Sequence, residues 1–161
     1  MSVVAVVGNP RPASRTHGAA TAAAEAIAGG REVEVVDLAV LAERVLVRDD
    51  PDAARAVERV LAAEALVVAS PTYKATYTGL LKAFLDRIGT GALGGAPALP
   101  LMVGAGAGHA LAVDVHLTPL LMELGARVPA RGLYVLEAEL DAVPARAATW
   151  AEAARRVSSR H

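Results

Sequence analysis

The sequence predicts an α/β protein of three layers, in which helices cover both faces of a five-stranded parallel sheet. An apolar run followed by a helical pattern occurs five times along the 161 residues. The first and third runs are apolar throughout, as central parallel strands are, whereas polar and apolar residues alternate in the second, which indicates a strand near a sheet edge. The doubly wound strand order 2-1-3-4-5 satisfies these observations.

Each predicted strand is an apolar run that ends at residues unsuited to a sheet. The first run stops at Gly8, and the third breaks at Ser70-Pro71. Pro100 is tolerated in the fourth run only towards its start. The apolar segment Leu38–Val47 is ambiguous between strand and helix. The expected strands are Val3–Val7, Val33–Asp37, Ala65–Ala69, Ala98–Val103 and Gly132–Leu136.

The predicted helices follow from caps and helical spacing. Ser14 is a suitable N-cap for an alanine-rich helix that Gly29-Gly30 ends, and 49–52 supplies a turn and a cap for the second. Pro119 must disturb the fourth helix, because it cannot donate a hydrogen bond to the carbonyl of Val115. The helices are expected to run to about Ala28 from Ser14, and over Ala53–Ala63, Leu80–Ile88, His109–Leu124 and Ala145–Val157.

Composition excludes several classes of protein. One domain over residues 1–161 with a buried core is expected, since 54% of the residues are apolar and 20% are charged. The net charge of −1 and the scattered basic residues argue against nucleic-acid and membrane partners. The chain contains no cysteine, so thiolate chemistry is excluded. The uncharged stretch 88–113 is not expected to span a membrane, because glycines and prolines interrupt it. With no signal-peptide pattern at the start, a cytoplasmic protein is expected.

The loop Gly8–Thr16, GNPRPASRT, has the composition of an anion site. In the predicted order it lies at the switch point of the sheet, where such folds bind ligands. Its neutral donors and its cations precede a helix N-terminus, whose free amides and dipole favour an anion such as a phosphate monoester. Alternatively, Ser14 only caps the helix and the arginines are solvated. The donors and cations are Asn9, Arg11, Ser14, Arg15 and Thr16.

Two further loops favour a flat ligand. The loop Ser70–Thr78 lies at the same switch point and can lay peptide groups and Tyr73 along an aromatic ring, with Lys74 and Thr76 as polar contacts. It is otherwise an ordinary connection with surface tyrosines. The glycine-rich segment 104–108 allows close approach of the backbone to a ligand. It is not the dinucleotide fingerprint, and the chain contains no Walker loop.

No catalytic side chain and no metal site are predicted. Asp49, Asp50 and Asp52 are better explained as turn and cap residues than as metal ligands. The four histidines, which include His161, lack metal-binding spacing, and no nucleophile elbow occurs. A receiver-type phosphoacceptor requires an aspartate at the end of the third strand, where Ser70-Pro71 stands instead.

Three stretches together resemble the NADPH-dependent FMN reductase family, which has a flavodoxin-like fold. GNPRPASRT is similar to the GSPRxxSxT loop of that family, and SPTYKATYTGLLKAFLDRI is similar to its PxYxxxxxGxLKxxLD segment. Among family members, the second stretch most resembles the FMN reductases of two-component sulfonate monooxygenase systems. The similarity continues through PLMVGAGAGHALAVDVHLTPLL to about Leu124.

The resemblance implies a site and a reaction. Hydride is expected to pass from NADPH or NADH to FMN, and a flavin-dependent monooxygenase is a possible partner. A flavoprotein that keeps FMN bound and reduces quinones or azo compounds is the alternative; an electron-carrying flavodoxin and a flavin-free interaction module are further ones. By resemblance, the phosphate is held by Asn9, Arg11, Ser14 and Thr16, and the isoalloxazine is lined by Pro71, Thr72, Tyr73 and Lys74, with Gly104, Ala105 and Gly106 near it.

Two apolar helices indicate self-association. The predicted helices Leu80–Ile88 and His109–Leu124 carry more apolar surface than one sheet face needs, so a homodimer or homotetramer is expected. Related alkanesulfonate-type reductases carry an aromatic residue in a π-helical turn at a tetramer interface linked to flavin release. Val115-His116 stands at that place here, so the resemblance leaves flavin release or retention open.

Overall fold

The computed structural model describes residues 2–158, so His161 lies outside the described residues. Its centre is a parallel sheet in the order β2-β1-β3-β4-β5, which confirms the predicted order. Every residue of β3 is buried, whereas β2 is partly exposed at the edge, as the alternation predicted. The strands are β1 (Ser2–Val7), β2 (Glu32–Asp37), β3 (Ala65–Pro71), β4 (Ala98–Gly104) and β5 (Leu133–Leu136).

Helices cover both faces of the sheet. The helices are α1 (Arg15–Ala28), α2 (Pro51–Leu61), α3 (Gly79–Leu85), α4 (Thr118–Glu123) and α5 (Val143–Ser158). Val3, Ala5 and Val7 of β1 point into a core with α1 and α5. Val4 and Val6 point into the opposite core with α2, α3 and α4. This alternation of successive side chains produces the three predicted layers.

The predicted break of the third strand at Ser70-Pro71 is wrong, because β3 continues through both residues. Ser70 and Pro71 pair with Met102 and Val103 of β4. Pro71 has no amide hydrogen, but its backbone faces the side of β1, which has already ended opposite Ala69. No neighbouring strand therefore requires the missing donor.

The predicted helix over His109–Leu124 is not continuous. A 3₁₀ turn at Ala107–His109 is followed by a π-helical segment, Val113–Leu117, and only then by α4. The Thr118 amide donates to the carbonyl of Val113, one residue further back than in an α-helix. Pro119 lies in the first turn of α4, directly after the π-helical segment, so the regular helix is interrupted next to Pro119, as predicted.

Other boundaries shift by a few residues. The ambiguous segment 38–47 forms two 3₁₀ turns, Leu38–Val40 and Arg44–Leu46. The third helix ends at Leu85, before the expected Ile88, and 3₁₀ turns over Glu137–Ala142 precede α5. Within residues 2–158, no helix is both long enough and apolar enough to cross a bilayer.

Candidate functional site

Two hydrogen bonds hold the start of the loop after β1, one to β3 and one to the loop that follows β3. The amide of Gly8 donates to the carbonyl of Ala69 over 2.8 Å. The hydroxyl of Thr78, at the far end of the second loop, donates to the carbonyl of Gly8. The structure thus brings segments 8–16 and 70–78 together at the carboxyl edge of the sheet, where doubly wound folds bind ligands.

The first loop is held by its own polar side chains. The Asn9 carboxamide accepts a hydrogen bond from the Arg11 amide over 2.9 Å and donates to the Thr16 hydroxyl over 3.2 Å. Ser14 caps α1 as predicted, because its hydroxyl oxygen accepts from the His17 amide over 3.1 Å. Ala13 has a positive φ of 50°, which turns the chain into the helix.

These bonds leave several donors for a ligand. The hydroxyls of Ser14 and Thr16 are used here as acceptors, so their hydrogens are free to donate elsewhere. The amides of Arg15 and Thr16 begin α1 and have no acceptor within the helix. The Arg11 guanidinium is exposed and makes no ion pair with a described residue. Neutral donors, a cation and a helix N-terminus are the groups that favour binding of an anion.

A cavity of about 330 Å³ opens between the first two loops. Seven of the predicted site residues lie around it, which brings the proposed anion loop and Tyr73 to one cavity. The lining residues are Asn9, Arg11, Ser14, Arg15, Thr16, Pro71, Tyr73, Val103 and Glu137. A larger cavity of about 550 Å³ lies at the opposite edge of the sheet, beside Ala65 and Trp150, and its described lining includes none of these loop residues.

Glu137 is a site residue that the sequence reasoning missed. It follows directly after β5, and its carboxylate forms an ion pair with the Arg15 guanidinium on the wall of the cavity. Arg15, predicted as a cation for the ligand, is therefore already paired. The available signal was its position, because a residue that follows a strand in a parallel sheet lies at the same edge as the other loops.

The second loop contains a tight two-residue turn. Tyr73 and Thr76 exchange backbone hydrogen bonds of 2.9 and 3.1 Å, with Lys74 and Ala75 between them at φ values of 50° and 67°. Positive φ at both central residues is typical of a type I′ turn, which usually employs glycine or asparagine. The turn projects Tyr73 and Lys74 outward, where both are exposed.

Thr72 carries a buried hydroxyl without a partner among the described residues. Thr72 lies close to the glycine-rich segment 104–108, because a β-carbon added to Gly104 would lie 3.2 Å from the Thr72 Oγ1. A buried hydroxyl that makes no hydrogen bond is costly. Thr72 follows directly after β3, but it is not among the described residues that line the cavity.

Tyr134, on β5, fixes the third loop and was also missed. Its hydroxyl donates to the Gly106 carbonyl over 2.8 Å. A β-carbon at Gly104 would lie only 2.0 Å from that hydroxyl oxygen, so glycine is required there. Several predicted site residues do not line the described cavity wall: Thr72, Lys74, Thr76 and the segment 104–106.

The chain has two lysines, Lys74 and Lys82, and Lys82 does not line this cavity. Lys82 lies on α3 and pairs with Asp86, one turn further along the helix. The hydrogen bond from this ammonium to Asp86 raises the pKa of Lys82 above its ordinary value of 10.5. Lys82 therefore remains a cation throughout the physiological range and takes no part in proton transfer there.

The strand order defines a flavodoxin-like protein, in which a loop with arginines and hydroxyl groups follows β1 and a polar, aromatic loop follows β3. Comparison with known proteins supplies the family. The chain belongs to the NADPH-dependent FMN reductase family, because a sequence model of that family matches residues 1–141. This confirms the resemblance seen in the three sequence motifs.

Individual relatives agree with this assignment. The chain is 35% identical over 145 residues to the FMN reductase (NADPH) of Escherichia coli K12, an alignment that covers 87% of this chain and 75% of that protein. It is 34% identical over 140 residues to the NADH-dependent FMN reductase SfnF of Pseudomonas putida, covering 82% and 75% of the two chains. The apo crystal structure of the NADH:FMN oxidoreductase EMOB superimposes with a TM-score of 0.84 at 32% identity, covering 94% of this chain and 86% of that one.

Proposed function

We propose that this protein is an NAD(P)H-dependent FMN reductase, which catalyses hydride transfer from NADPH or NADH to FMN. The observation that carries the proposal is the joining of loops 8–16 and 70–78 through Thr78 and Gly8 around one cavity. One loop has the donors that a phosphate monoester needs, and the other has the exposed ring and peptide surface that a flavin needs. Family membership supports the same reaction.

The residues at the first loop fit the phosphate of FMN. Asn9, Arg11, Ser14 and Thr16 would hold it, with help from the amides at the start of α1. Arg15 is the exception, because it already pairs with Glu137. These residues would hold the phosphate at the first loop and leave the ring free to lie against the second loop.

The isoalloxazine would lie against Pro71, Thr72, Tyr73 and Lys74, with Gly104, Ala105 and Gly106 nearby and Thr76 closing the turn. The positions of Pro71 and Tyr73 on the cavity wall support this assignment, as does membership of the family. Bound FMN supplies the hydride-accepting ring, so the protein's task is to bind, orient and exclude water. No side-chain acid or base is required.

The names of the relatives indicate which nicotinamide nucleotides can serve as reductant. The relatives are named for NADPH and for NADH, so we infer that this chain uses one or both. We further infer that the chain forms a single domain and acts in the cytoplasm. The reductant and the oxidant would bind in turn at one pocket. Reduced FMN would then pass to a flavin-dependent monooxygenase.

We infer that the functional form is a homodimer or homotetramer. The π-helical segment and its flanks expose three large apolar side chains, Leu111 (65% exposed), Val115 (59%) and Met122 (59%). An apolar surface of this kind is typical of an interface between copies of a chain. A monomeric mass by sedimentation at micromolar concentration would contradict this inference.

The reaction is tested by anaerobic mixing of the purified protein with NADPH or NADH, with and without added FMN. We expect bleaching of the flavin absorbance with at least one nicotinamide, at a rate far above that of free FMN. If the protein accelerates bleaching with neither, the proposed function is wrong. If bleaching needs no added FMN and a quinone reoxidises the protein, then FMN is retained and the tightly bound alternative holds.

A further inference from the structure

Arg15 and Glu137 join the first loop to the end of the last strand. Arg15 is the first residue of α1, and Glu137 immediately follows Leu136 of β5. Their side chains form an ion pair across the wall of the 330 Å³ cavity, although they are 122 residues apart in sequence. The side chains of both residues are partly exposed, so the pair can open when a ligand competes for it.

The carboxylate of Glu137 is paired with Arg15, the cation at the start of α1. The first turn of α1 contains no acidic residue, so nothing within the helix offsets its positive end or the charge of Arg15. Glu137 supplies that negative charge from another element. Glu137 therefore offsets the charge of Arg15 beside the first loop.

We propose that Glu137 is an internal competitor for the phosphate of FMN, which weakens flavin binding and so favours exchange. This inference rests on the proposed function. Arg11 and Arg15 contribute two positive charges to the cavity wall, and Glu137 contributes one negative charge. A bound phosphate carries nearly two negative charges. It must either break the ion pair between Arg15 and Glu137 or bind close to the Glu137 carboxylate, which repels it.

If Glu137 competes with the phosphate, then removal of its charge should strengthen FMN binding. Glu137→Gln removes the charge but keeps the shape, so FMN affinity should rise roughly three- to tenfold at low ionic strength. FMN dissociation should slow by a similar factor. Riboflavin, which has the same ring but no phosphate, should bind equally well to the wild type and the variant.

The matched control is Glu139→Gln, which changes the net charge equally in the same acidic segment. Glu139 is exposed, forms no ion pair with a described residue and does not line the cavity. We expect this variant to bind FMN like the wild type. An equal gain in both variants would assign the effect to overall charge and would overturn the competitor role.

The experiment is a titration of FMN and riboflavin by flavin fluorescence, together with stopped-flow dissociation, for the wild type and both variants. Unchanged or weaker FMN binding in Glu137→Gln would overturn the inference, and weaker binding would show that Glu137 instead positions Arg15 for the phosphate. A wild type that binds FMN in this assay keeps the proposed function intact in either case. If no variant binds FMN or riboflavin, the proposed function itself fails, and the inference with it.

Discussion

The Thr78 hydroxyl donates a hydrogen bond to the Gly8 carbonyl while it accepts one from the Leu81 amide over 3.1 Å. One side chain thus caps α3 and also ties the second loop to the first. The Thr78 amide in turn donates to the Ser70 hydroxyl over 3.0 Å, which anchors the loop to β3. The distance between the two loops of the proposed flavin site therefore depends on this buried threonine.

Replacing Thr78 with valine should reduce both stability and flavin binding. Valine has the same shape but leaves the Gly8 carbonyl and the Leu81 amide without their partner, at a cost of about 1–3 kcal/mol. Urea denaturation measures the free energy of unfolding, and FMN titration measures the binding. Thr78→Ser keeps the hydroxyl and should retain most of both. If serine and valine behave alike, the hydroxyl does not join the loops.

Gly8→Ala should destabilise the protein because α3 approaches the first loop too closely for a side chain. A β-carbon at Gly8 would lie 2.6 Å from the β-carbon of Leu81, which cannot move without shifting its helix. We expect a loss of about 1–3 kcal/mol in the free energy of unfolding. Gly18→Ala is the control, since no atom lies within 4 Å of the added carbon and alanine should add about 0.5–1 kcal/mol in α1. A neutral Gly8→Ala would contradict the close contact.

The turn Tyr73–Thr76 stores strain that glycine should release. Ala75 has a φ of 67°, a left-handed conformation that alanine disfavours, so Ala75→Gly should raise the free energy of unfolding by about 0.5–1 kcal/mol. The same substitution at Ala54, in the exposed interior of α2, should lower it by about 1 kcal/mol. Thermal or urea denaturation compares the two. Destabilisation at both positions would mean that the turn does not have this geometry.

Thr72→Val should weaken flavin binding without lowering the stability of the protein. Its hydroxyl is buried without a described partner, so an isosteric methyl group should leave stability unchanged or raise it by up to about 1 kcal/mol. FMN and riboflavin should both bind roughly tenfold more weakly, since the hydroxyl is proposed to contact the ring they share. Thr118→Val is the control, because Thr118 has a similar unpartnered hydroxyl beside the π-helical segment. Its flavin affinity should not change, and equal losses in both variants would argue against a ring contact at Thr72.

The sheet order and the proposed flavin loops follow from short-range features of the sequence. Strand burial is visible as apolar runs, edge exposure is visible in the alternation of β2, and Ser14 is a recognisable N-cap. Each depends only on neighbouring residues, which is why periodicity and cap rules identify them.

The remaining features depend on contacts between distant residues. Pro71 is tolerated in β3 because β1 ends opposite Ala69, two residues earlier. Tyr134 reaches Gly106 across 28 residues and Glu137 reaches Arg15 across 122. No local sequence pattern predicts these contacts, because they depend on which strands lie next to each other in the folded sheet.

Amide hydrogen exchange with and without FMN tests the central claim most directly. If one flavin lies between the loops after β1 and β3, then FMN should slow exchange in both segments, 8–16 and 70–78. The opposite edge of the sheet around Ala65 and Trp150 should be unaffected. Protection of only one loop, or protection at that opposite edge instead, would contradict the account.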